Sequence, residues 1–451
     1  MISRKRKKIF IFSSFWTAFL LLLFAQPGAD NFPDTHEIIS FSRKIDLKNL
    51  FESYPLDPLM ADGDRIYFIV ERKYLDPIHQ SGYDFRLETD KLSLEIDKTP
   101  KGSLNLQGGL NGAYHSYSEL TSALRNIAAG YSPIARLYIP GKSLENRNIY
   151  GLKISDNPSI RENEPRVALL GCHHAREWIS VEVPLLIAEY LVKNYNQDTR
   201  IKNIVDSAEI WIIPSVNPDG LDYSVFTYRL WRKNRRLNLD GTYGVDLNRN
   251  YSYQWGYDNL GSSPEPASEV FRGTGPFSEP ETEAIRNLFI NNRFSAAISY
   301  HSYSQSILFP WGYADLPAEK EALLSDLAST MAELIFRVNG REYEVGRASS
   351  SLYLTNGDFT DWVYGFFEIP AFTIELPPLD LIHGGFFNSE QDIQQIFREN
   401  LPAALYLIEW VMSTFEGGHK GKTPWGKLRL AKGPRTVVKD SRAFSKGKER
   451  K

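Results

Sequence analysis

Cysteine is almost absent from this chain, and so is any large excess of charge. A single cysteine, Cys172, among 451 residues excludes an internal disulfide framework. The formal net charge of −3 gives no reason to expect a nucleic-acid partner. No second hydrophobic run of membrane-spanning length follows Ala25, so we expect the rest of the chain to be soluble. With 42% hydrophobic residues, the chain is able to bury a large core.

The first residues are typical of an export signal. A basic stretch from Arg4 to Lys8 precedes an apolar run from Ile9 to Ala25, and small residues follow where a signal peptidase would cleave. We therefore predict a signal peptide over residues 1–29 and a periplasmic or extracellular protein. An uncleaved membrane anchor is the alternative, because the apolar run nears the ~17 residues that span a bilayer.

The composition divides the remainder into three regions. Residues 30–112 offer short mixed elements and end in a linker with lysines and glycines. From 113 to 413, short apolar segments alternate with amphipathic ones, which predicts an α/β domain with a buried sheet. Residues 414–451 are strongly basic. We predict a solvated, disordered tail there, and the alternative is a segment that binds an anionic surface.

Apolar runs and helical spacing predict individual elements. In the N-terminal region we expect strands at Arg65–Val70 and Tyr83–Leu87, with a helix or turn between them. In the larger region the predicted strands are Val167–Leu170, Glu209–Pro214, Ala296–Tyr300 and Ala371–Leu376. The predicted helices are Val181–Tyr190, Pro280–Phe289, Glu319–Arg337 and Asp392–Trp410.

Side chains able to bind a metal follow or end several predicted strands. The stretch GCHHAREW places His174 and Glu177 after one strand, His301 ends another, and Glu375 lies near the end of a third. Ligands bind at the carboxyl ends of strands in open α/β sheets. Two histidines and a carboxylate are a known ligand set of catalytic zinc, which keeps a position open for water. The set predicts a zinc site with Glu375 free to act as a base.

Cys172 lies directly before these ligands and has two interpretations. A thiol nucleophile needs a base and an oxyanion hole, and the neighbouring His173 alone does not supply them. We interpret Cys172 as a small buried residue at the end of a strand.

Several motifs in one order resemble the zinc metallocarboxypeptidases of the carboxypeptidase A/B family, and among them the bacterial carboxypeptidase T type. They lie between about Tyr114 and Glu409. They include HHAREW at 173–178, NPDG at 217–220, RLWRK at 229–233, GVDLNRN at 244–250, SYHSY at 299–303, the segment 353–362 and FTIE at 372–375. The resemblance implies a mixed, mostly parallel eight-stranded sheet sandwiched between helices. It also implies that the small N-terminal α+β region is an inhibitory propeptide.

The resemblance assigns roles to the matching residues. It implies that His174, Glu177 and His301 bind one Zn²⁺ ion, while His173 matches no ligand. Glu375 falls on the catalytic glutamate, and Arg232 falls on the arginine that polarises the substrate carbonyl. The expected substrate-binding residues are Asn248, Arg249 and Tyr353 for the terminal carboxylate, Arg176 for a more distant subsite, and Tyr303.

The resemblance therefore implies an exopeptidase that removes C-terminal residues from peptides or proteins. An activating protease would cut the linker between Asp97 and Gly112, and we expect a monomer. Two alternatives stay open at this point. One is an inactive, peptide-binding relative, and the other is a zinc hydrolase of cell-wall peptides or acylated amino acids. The complete ligand set argues against the first, and the complete carboxylate-binding set argues against the second.

The specificity pocket is implied to lie around the segment 353–362, with Ala348, Gly312 and Thr373 on its walls. Thr360 stands where relatives that require lysine or arginine have an acid. Asp358 stands two residues earlier and would pair with a cationic side chain. We therefore predict that apolar and aromatic C-terminal residues are removed best and that basic ones are also accepted. The alternative is that Asp358 is a turn residue that points away from the pocket.

Overall fold

The computed structural model describes residues 36–42, 50, 54, 56–62, 65–88, 113–379 and 385–415. The predicted signal peptide, the linker after residue 88 and the basic tail beyond residue 415 lie outside this part of the chain. Within the described residues, no helix has the length and apolar character that crossing a membrane requires.

The N-terminal region forms a small antiparallel sheet. Its strands are β1 (His36–Ser42), β2 (Asp57–Asp62), β3 (Arg65–Glu71) and β4 (Arg86–Leu87), in the order β2-β3-β1-β4. Helix α1 (Leu75–Gln80) follows β3. The strand predicted at Tyr83–Leu87 is shorter than expected, because only Arg86 and Leu87 pair with β1. The rings of Tyr83 and Phe85 pack edge-on against Phe41 at centroid distances of 6.5 and 6.1 Å.

The larger region is built on an eight-stranded sheet in the order β11-β10-β12-β9-β7-β8-β6-β5. Its strands are β5 (Ala135–Lys142), β6 (Asn148–Ile154), β7 (Arg166–Gly171), β8 (Glu209–Ile213), β9 (Ala296–Ser302), β10 (Ser306–Phe309), β11 (Glu344–Arg347) and β12 (Ala371–Leu376). Four neighbouring pairs are parallel and three are antiparallel. The predicted mixed, mostly parallel sheet is therefore confirmed.

Helices cover both faces of this sheet. They are α2 (Tyr117–Gly130), α3 (Ile179–Asn194), α4 (Thr199–Val205), α5 (Pro218–Phe226), α6 (Pro280–Asn292), α7 (Glu321–Asn339), α8 (Ala348–Ser351), α9 (Phe359–Phe367) and α10 (Ile393–Thr414). Alternate residues of a strand point to opposite faces. In β7, Val167 and Leu169 pack with α3 and α10, whereas Ala168 and Leu170 pack with α6 and α9. All six β7 residues are buried, which explains its unbroken apolar run.

The register of the central strands brings the predicted site residues to one edge. Strands β7, β9 and β12 are parallel, with Gly171 opposite Tyr300 and Glu375 opposite His301. Parallel strands end at the same side of a sheet, so the loop after β7 lies beside the ends of β9 and β12.

Candidate active site

Three buried side chains at this edge direct ligand atoms at one point. Glu177 Oε1 lies 2.7 Å from His174 Nδ1, and Glu177 Oε2 lies 3.0 Å from His301 Nδ1. The two Nδ1 atoms are 3.2 Å apart. Ligands about 2.0–2.1 Å from a tetrahedral zinc ion are separated by roughly 3.3 Å, so this donor set fits zinc closely. Among the described residues, the ligand atoms of these three groups all lie within 4.8 Å of one another.

The loop after β7 is shaped to hold His174 and Glu177. Gly171 has no room for a side chain, because a Cβ there would lie 2.0 Å from the carbonyl oxygen of Ser180. Cys172 follows with a φ of 53°, which turns the chain sharply. The Ser180 hydroxyl then donates to the Glu177 carbonyl at 2.6 Å and accepts from the Cys172 N–H at 3.0 Å. The loop is therefore fixed from both sides.

Cys172 is fully buried, and burial raises the pKa of its thiol to about 12. A thiol that stays protonated at neutral pH is a poor nucleophile. The structural interpretation of Cys172 agrees with this environment.

The outer ring nitrogens of both histidines are also bonded. His174 Nε2 lies 3.2 Å from Asp246 Oδ1, and His301 Nε2 lies 3.0 Å from Ser299 Oγ. Such bonds leave the inner nitrogens facing the metal position, as metal-binding histidines require. Neither Asp246 nor Ser299 was given a role from the sequence. Both lie inside motifs named from the sequence, Asp246 in GVDLNRN and Ser299 in SYHSY.

Electrostatics favours anionic carboxylates and a cation here. Burial opposes ionisation of Glu177, but His174 and His301 outweigh it and lower the pKa of its carboxyl. Burial likewise opposes ionisation of Asp246, while Arg232 and His174 hold its pKa well below the usual range. Both groups therefore remain negative at neutral pH.

Glu375 is buried next to His301 on the neighbouring strand. Burial raises the pKa of its carboxyl to about 8, against the opposing effect of the His301 charge. A divalent cation at the three ligands would lower this pKa. The residue predicted to be the base thus lies at the same edge as the ligands without being part of the ligand set.

Two arginines are fixed around Asp246. Arg232 donates to Asp246 Oδ2 through Nε at 3.1 Å and Nη2 at 2.8 Å. Arg249 Nη1 lies 4.0 Å from the same oxygen, and its Nε donates to the carbonyl of Gly261 at 2.8 Å. One carboxylate therefore positions a metal ligand and Arg232, and it also lies beside Arg249.

The remaining residues predicted to hold a substrate carboxylate lie beside Arg249. The ring of Tyr353 is centred 5.8 Å from the Arg249 guanidinium carbon and is 48% exposed, so it borders the solvent. Asn248 accepts a hydrogen bond from the Phe359 N–H at 2.9 Å, which ties it to the start of α9.

Asp358 is the N-cap of α9 and lies close to Gly312. Its Oδ1 accepts from the Asp361 N–H at 2.9 Å, and its Oδ2 accepts from the Thr355 hydroxyl at 2.7 Å. A Cβ on Gly312 would lie 2.9 Å from Asp358 Oδ2 and 3.5 Å from the Ala348 Cβ. These residues therefore lie close together, and their part in a specificity pocket stays a prediction. Burial raises the pKa of the Asp358 carboxyl.

Thr360 and Thr373, also predicted for the pocket, share a hydrogen bond of 2.7 Å between their hydroxyl groups. The bond joins α9 to β12, the strand that carries Glu375.

Arg176 and Tyr303 lie around Phe386. The Arg176 guanidinium carbon is 4.2 Å from the centre of the Phe386 ring, and the Tyr303 ring is 4.8 Å from it. Ile38, Tyr67 and Ile69 of the N-terminal sheet join the same apolar cluster. The N-terminal sheet therefore contacts the side of the site that contains Arg176 and Tyr303.

A second group of acids lies at the amino end of β7, opposite the candidate site. Asp156, Glu162 and Glu164 have carboxylate oxygens within 4.8 Å of one another. Burial, followed by the charges of Asp156 and Glu162, raises the pKa of Glu164 to about 7.

Comparison with known proteins agrees with this geometry. Residues 120–403 match the family described as zinc carboxypeptidase. The chain is similar to a zinc carboxypeptidase of Saccharothrix mutabilis subsp. capreolus, at 34% identity over 72% of this chain and 77% of the relative. It is similar to carboxypeptidase B of Astacus astacus, at 31% identity over 67% of this chain and 98% of the relative. The crystal structure of carboxypeptidase A from Helicoverpa armigera aligns with a TM-score of 0.69 and 26% identity, covering 84% of this chain and 98% of that one.

The fold and the metal-binding site define a metallocarboxypeptidase, a hydrolase that uses zinc to remove C-terminal residues. The chain belongs to the zinc carboxypeptidase family.

Proposed function

We propose that this protein hydrolyses the last peptide bond of peptides and proteins with Glu375 as the base and Arg232 as the group that polarises the carbonyl. The observation that carries the proposal is the arrangement at one sheet edge. Three buried metal donors, an unligated glutamate and two fixed guanidinium groups meet there.

Each residue has a defined task. His174, Glu177 and His301 would hold a zinc ion, which when bound would supply a water of lowered pKa and a positive charge. Glu375 accepts the proton of the attacking water and passes it to the leaving amine. Arg232, held by Asp246, donates to the carbonyl oxygen as negative charge develops on it.

The terminal carboxylate is bound by Arg249, with Asn248 and Tyr353 beside it. A guanidinium group offers two parallel N–H donors that match a carboxylate. The hydrogen bond of Arg249 to the Gly261 carbonyl and the position of Arg249 beside the Tyr353 ring fix the orientation of its guanidinium group. A free carboxylate bound this close to the reacting bond restricts cleavage to the chain end.

The test compares one peptide with a free and with an amidated C-terminus. We expect kcat/KM to fall at least about 100-fold on amidation, because a charge-assisted bidentate contact is lost. Arg249→Lys is the matched variant, since it keeps the charge but loses the fork, and it should reduce this discrimination. Equal cleavage of both peptides would refute exopeptidase action and favour a hydrolase of cell-wall peptides. Binding without hydrolysis would favour the inactive relative.

We propose that Asp358 lines a specificity pocket that prefers apolar and aromatic residues and also accepts basic ones. Both oxygens of Asp358 are hydrogen-bonded, so an apolar side chain can enter without leaving a bare carboxylate. A cation entering beside Gly312 would meet the same group. Asp358→Asn keeps the helix cap and removes the charge, because asparagine and aspartate cap helices equally well.

We expect Asp358→Asn to lower kcat/KM for peptides ending in arginine about tenfold while changing that for phenylalanine less than twofold. Asp358→Ala should change the kcat/KM values in the same way as Asp358→Asn. It should also lose about 1 kcal/mol of stability, because alanine does not cap the helix. An unchanged arginine-to-phenylalanine ratio in both variants would exclude Asp358 from substrate selection.

The N-terminal region is proposed to be an inhibitory propeptide of an exported enzyme. Support comes from the export-like first 29 residues and from the contact of Ile38, Tyr67 and Ile69 with the cluster around Phe386. A protease cutting near Lys98 or Lys101 would separate the regions. The chain beginning at Ala113 should therefore be more active than the full chain. Equal activity of the two forms would refute the zymogen proposal.

A further inference from the structure

A chain of hydrogen bonds runs outward from the ligand His301 through buried side chains. His301 Nε2 lies 3.0 Å from Ser299 Oγ, and Ser299 Oγ lies 3.2 Å from His173 Nδ1. His173 Nε2 lies 2.9 Å from the hydroxyl of Tyr251. His173, Ser299 and Tyr251 have no exposed surface, and His301 is 1% exposed. We call these four residues the outer chain.

Packing also fixes the His173 ring against His301. The two imidazole rings are stacked, with centroids 5.4 Å apart and planes inclined by 14°. Tyr251 and Phe359 close the other sides of the His173 ring at 5.8 and 5.5 Å. The His173 carbonyl accepts from the Asn217 side chain at 3.1 Å, so the backbone is held as well.

The outer chain has a single direction once a metal is bound. With Nδ1 of His301 binding the ion, its Nε2 carries the proton and donates to Ser299 Oγ. The Ser299 hydroxyl then donates to His173 Nδ1, which has to be the unprotonated nitrogen. His173 Nε2 carries the proton and donates to Tyr251. Each of these donors therefore has an acceptor in one arrangement of protons.

We propose that His173 is a positioning residue that orients the ligand His301 toward zinc through Ser299 and Tyr251. The inference rests on the proposed role of His301 as a ligand. The partner of His174 is the carboxylate of Asp246, whereas His301 is held through a neutral hydroxyl group. The outer chain therefore gives the second histidine its orientation without adding a buried negative charge next to Glu177 and Glu375.

The environment of His173 is consistent with a neutral imidazole. Burial, followed by the charges of His301 and His174, lowers the pKa of His173 well below its usual value. Asn217 also bonds the Lys233 carbonyl at 3.1 Å, so the backbone of His173 is connected to the segment that carries Arg232.

The test measures zinc affinity on the purified chain by competition with a chromophoric chelator. Ser299→Ala removes one hydroxyl group, and His173→Phe keeps a flat ring but removes both hydrogen bonds. We expect each to raise the Kd for zinc about tenfold, in the range seen when partners of metal ligands are removed. The Kd for zinc of the double variant should be at most about twofold higher than that of the weaker-binding single variant, because both changes break the same chain.

Three further measurements separate positioning from general packing. His115→Phe removes a bonded histidine outside the site and should leave the Kd for zinc unchanged. The visible spectrum of the Co²⁺-substituted protein should change in His173→Phe and Ser299→Ala but not in His115→Phe. Tyr251→Phe, at the far end, should raise the Kd only about twofold to threefold.

A Kd within twofold of the wild type in folded Ser299→Ala and His173→Phe would overturn the proposal, and so would fully additive effects. If His173→Phe does not fold, Ser299→Ala alone decides. These measurements need no substrate, so they are independent of the proposed exopeptidase activity. A wild-type protein that binds zinc without cleaving peptides would contradict that function and leave the outer chain testable.

Discussion

Replacing Asp246 by asparagine tests how much of the site depends on one buried carboxylate. Its Oδ1 accepts from the Asn248 N–H at 2.9 Å and lies 3.2 Å from His174 Nε2. Its Oδ2 accepts both Arg232 donors, at 3.1 and 2.8 Å. An amide has one accepting oxygen, so two of these four donors lose their acceptor in either orientation of the side chain.

In the orientation of lower energy, the oxygen of the introduced amide accepts the hydrogen bonds from Arg232, because hydrogen bonds to charged groups are the stronger ones. The amide nitrogen then faces the N–H groups of His174 and Asn248. Two buried donors without acceptors cost about 1–3 kcal/mol each. We therefore expect the free energy of unfolding to fall by about 2–6 kcal/mol. His174 loses the bond that orients it, so the Kd for zinc should rise about 10–100-fold.

Chemical denaturation at saturating zinc measures the first quantity, and chelator competition measures the second. Asp222→Asn is the matched control, since Asp222 binds Arg147 at 2.8 Å with its side chain 27% exposed and lies outside the site. This control should lose at most about 1 kcal/mol and leave zinc binding unchanged. A folded Asp246→Asn variant with a zinc Kd within threefold of the wild type would refute the reasoning.

Two other substitutions test separate parts of the molecule. Glu375→Gln should lower kcat about 10²–10⁴-fold with full zinc occupancy, and retained turnover would exclude Glu375 as the base. Because the pKa of Glu164 is raised to about 7, the folded protein loses stability as pH rises from about 4.5 to 7. At pH 8 in the presence of a metal chelator, the free energy of unfolding of Glu164→Gln should be about 1–2 kcal/mol higher than that of the wild type, after allowance for solvent screening. The control Glu319→Gln, at an exposed position, should have the same free energy of unfolding as the wild type. If stability depended on pH in the same way in the wild type, Glu164→Gln and Glu319→Gln, the expectation would be contradicted.

Strands β7, β8, β9 and β12 could be predicted because they are apolar runs buried on both faces. β7 and β12 are short apolar runs, and β12 lies at the predicted bounds, Ala371–Leu376. The edge strands β5 and β11 were missed, and most of their residues remain partly exposed and mix polar with apolar side chains. The buried strands β6 and β10 were missed as well, since β6 includes Asn148 and Lys153 and β10 is only four residues long. Helix α7 begins two residues later and ends two later than predicted, at a glycine with positive φ, Gly340.

The metal donors could be predicted for a related reason. His301 and Glu375 lie at the ends of apolar strands, and the parallel register places them side by side. Asp246 could not be found in this way, because it lies in a long irregular segment without hydrophobic periodicity. Its contacts with His174 and Arg232 arise only when that segment folds back over the loop after β7. Ser299 lies inside the SYHSY motif, but that motif gave it no role, since a serine inside a strand is ordinary.

The balance of buried charge connects the metal to the substrate. Arg232 and Arg249 bring two positive charges to the site, while Glu177, Asp246 and Glu375 bring three negative ones when ionised. With these five groups ionised and the histidines neutral, the site without a cation has one excess negative charge. A zinc ion changes this excess to one positive charge, and a free C-terminal carboxylate makes the site neutral. An isolated buried charge is costly, so the loaded site favours a chain end over an amide or an internal bond.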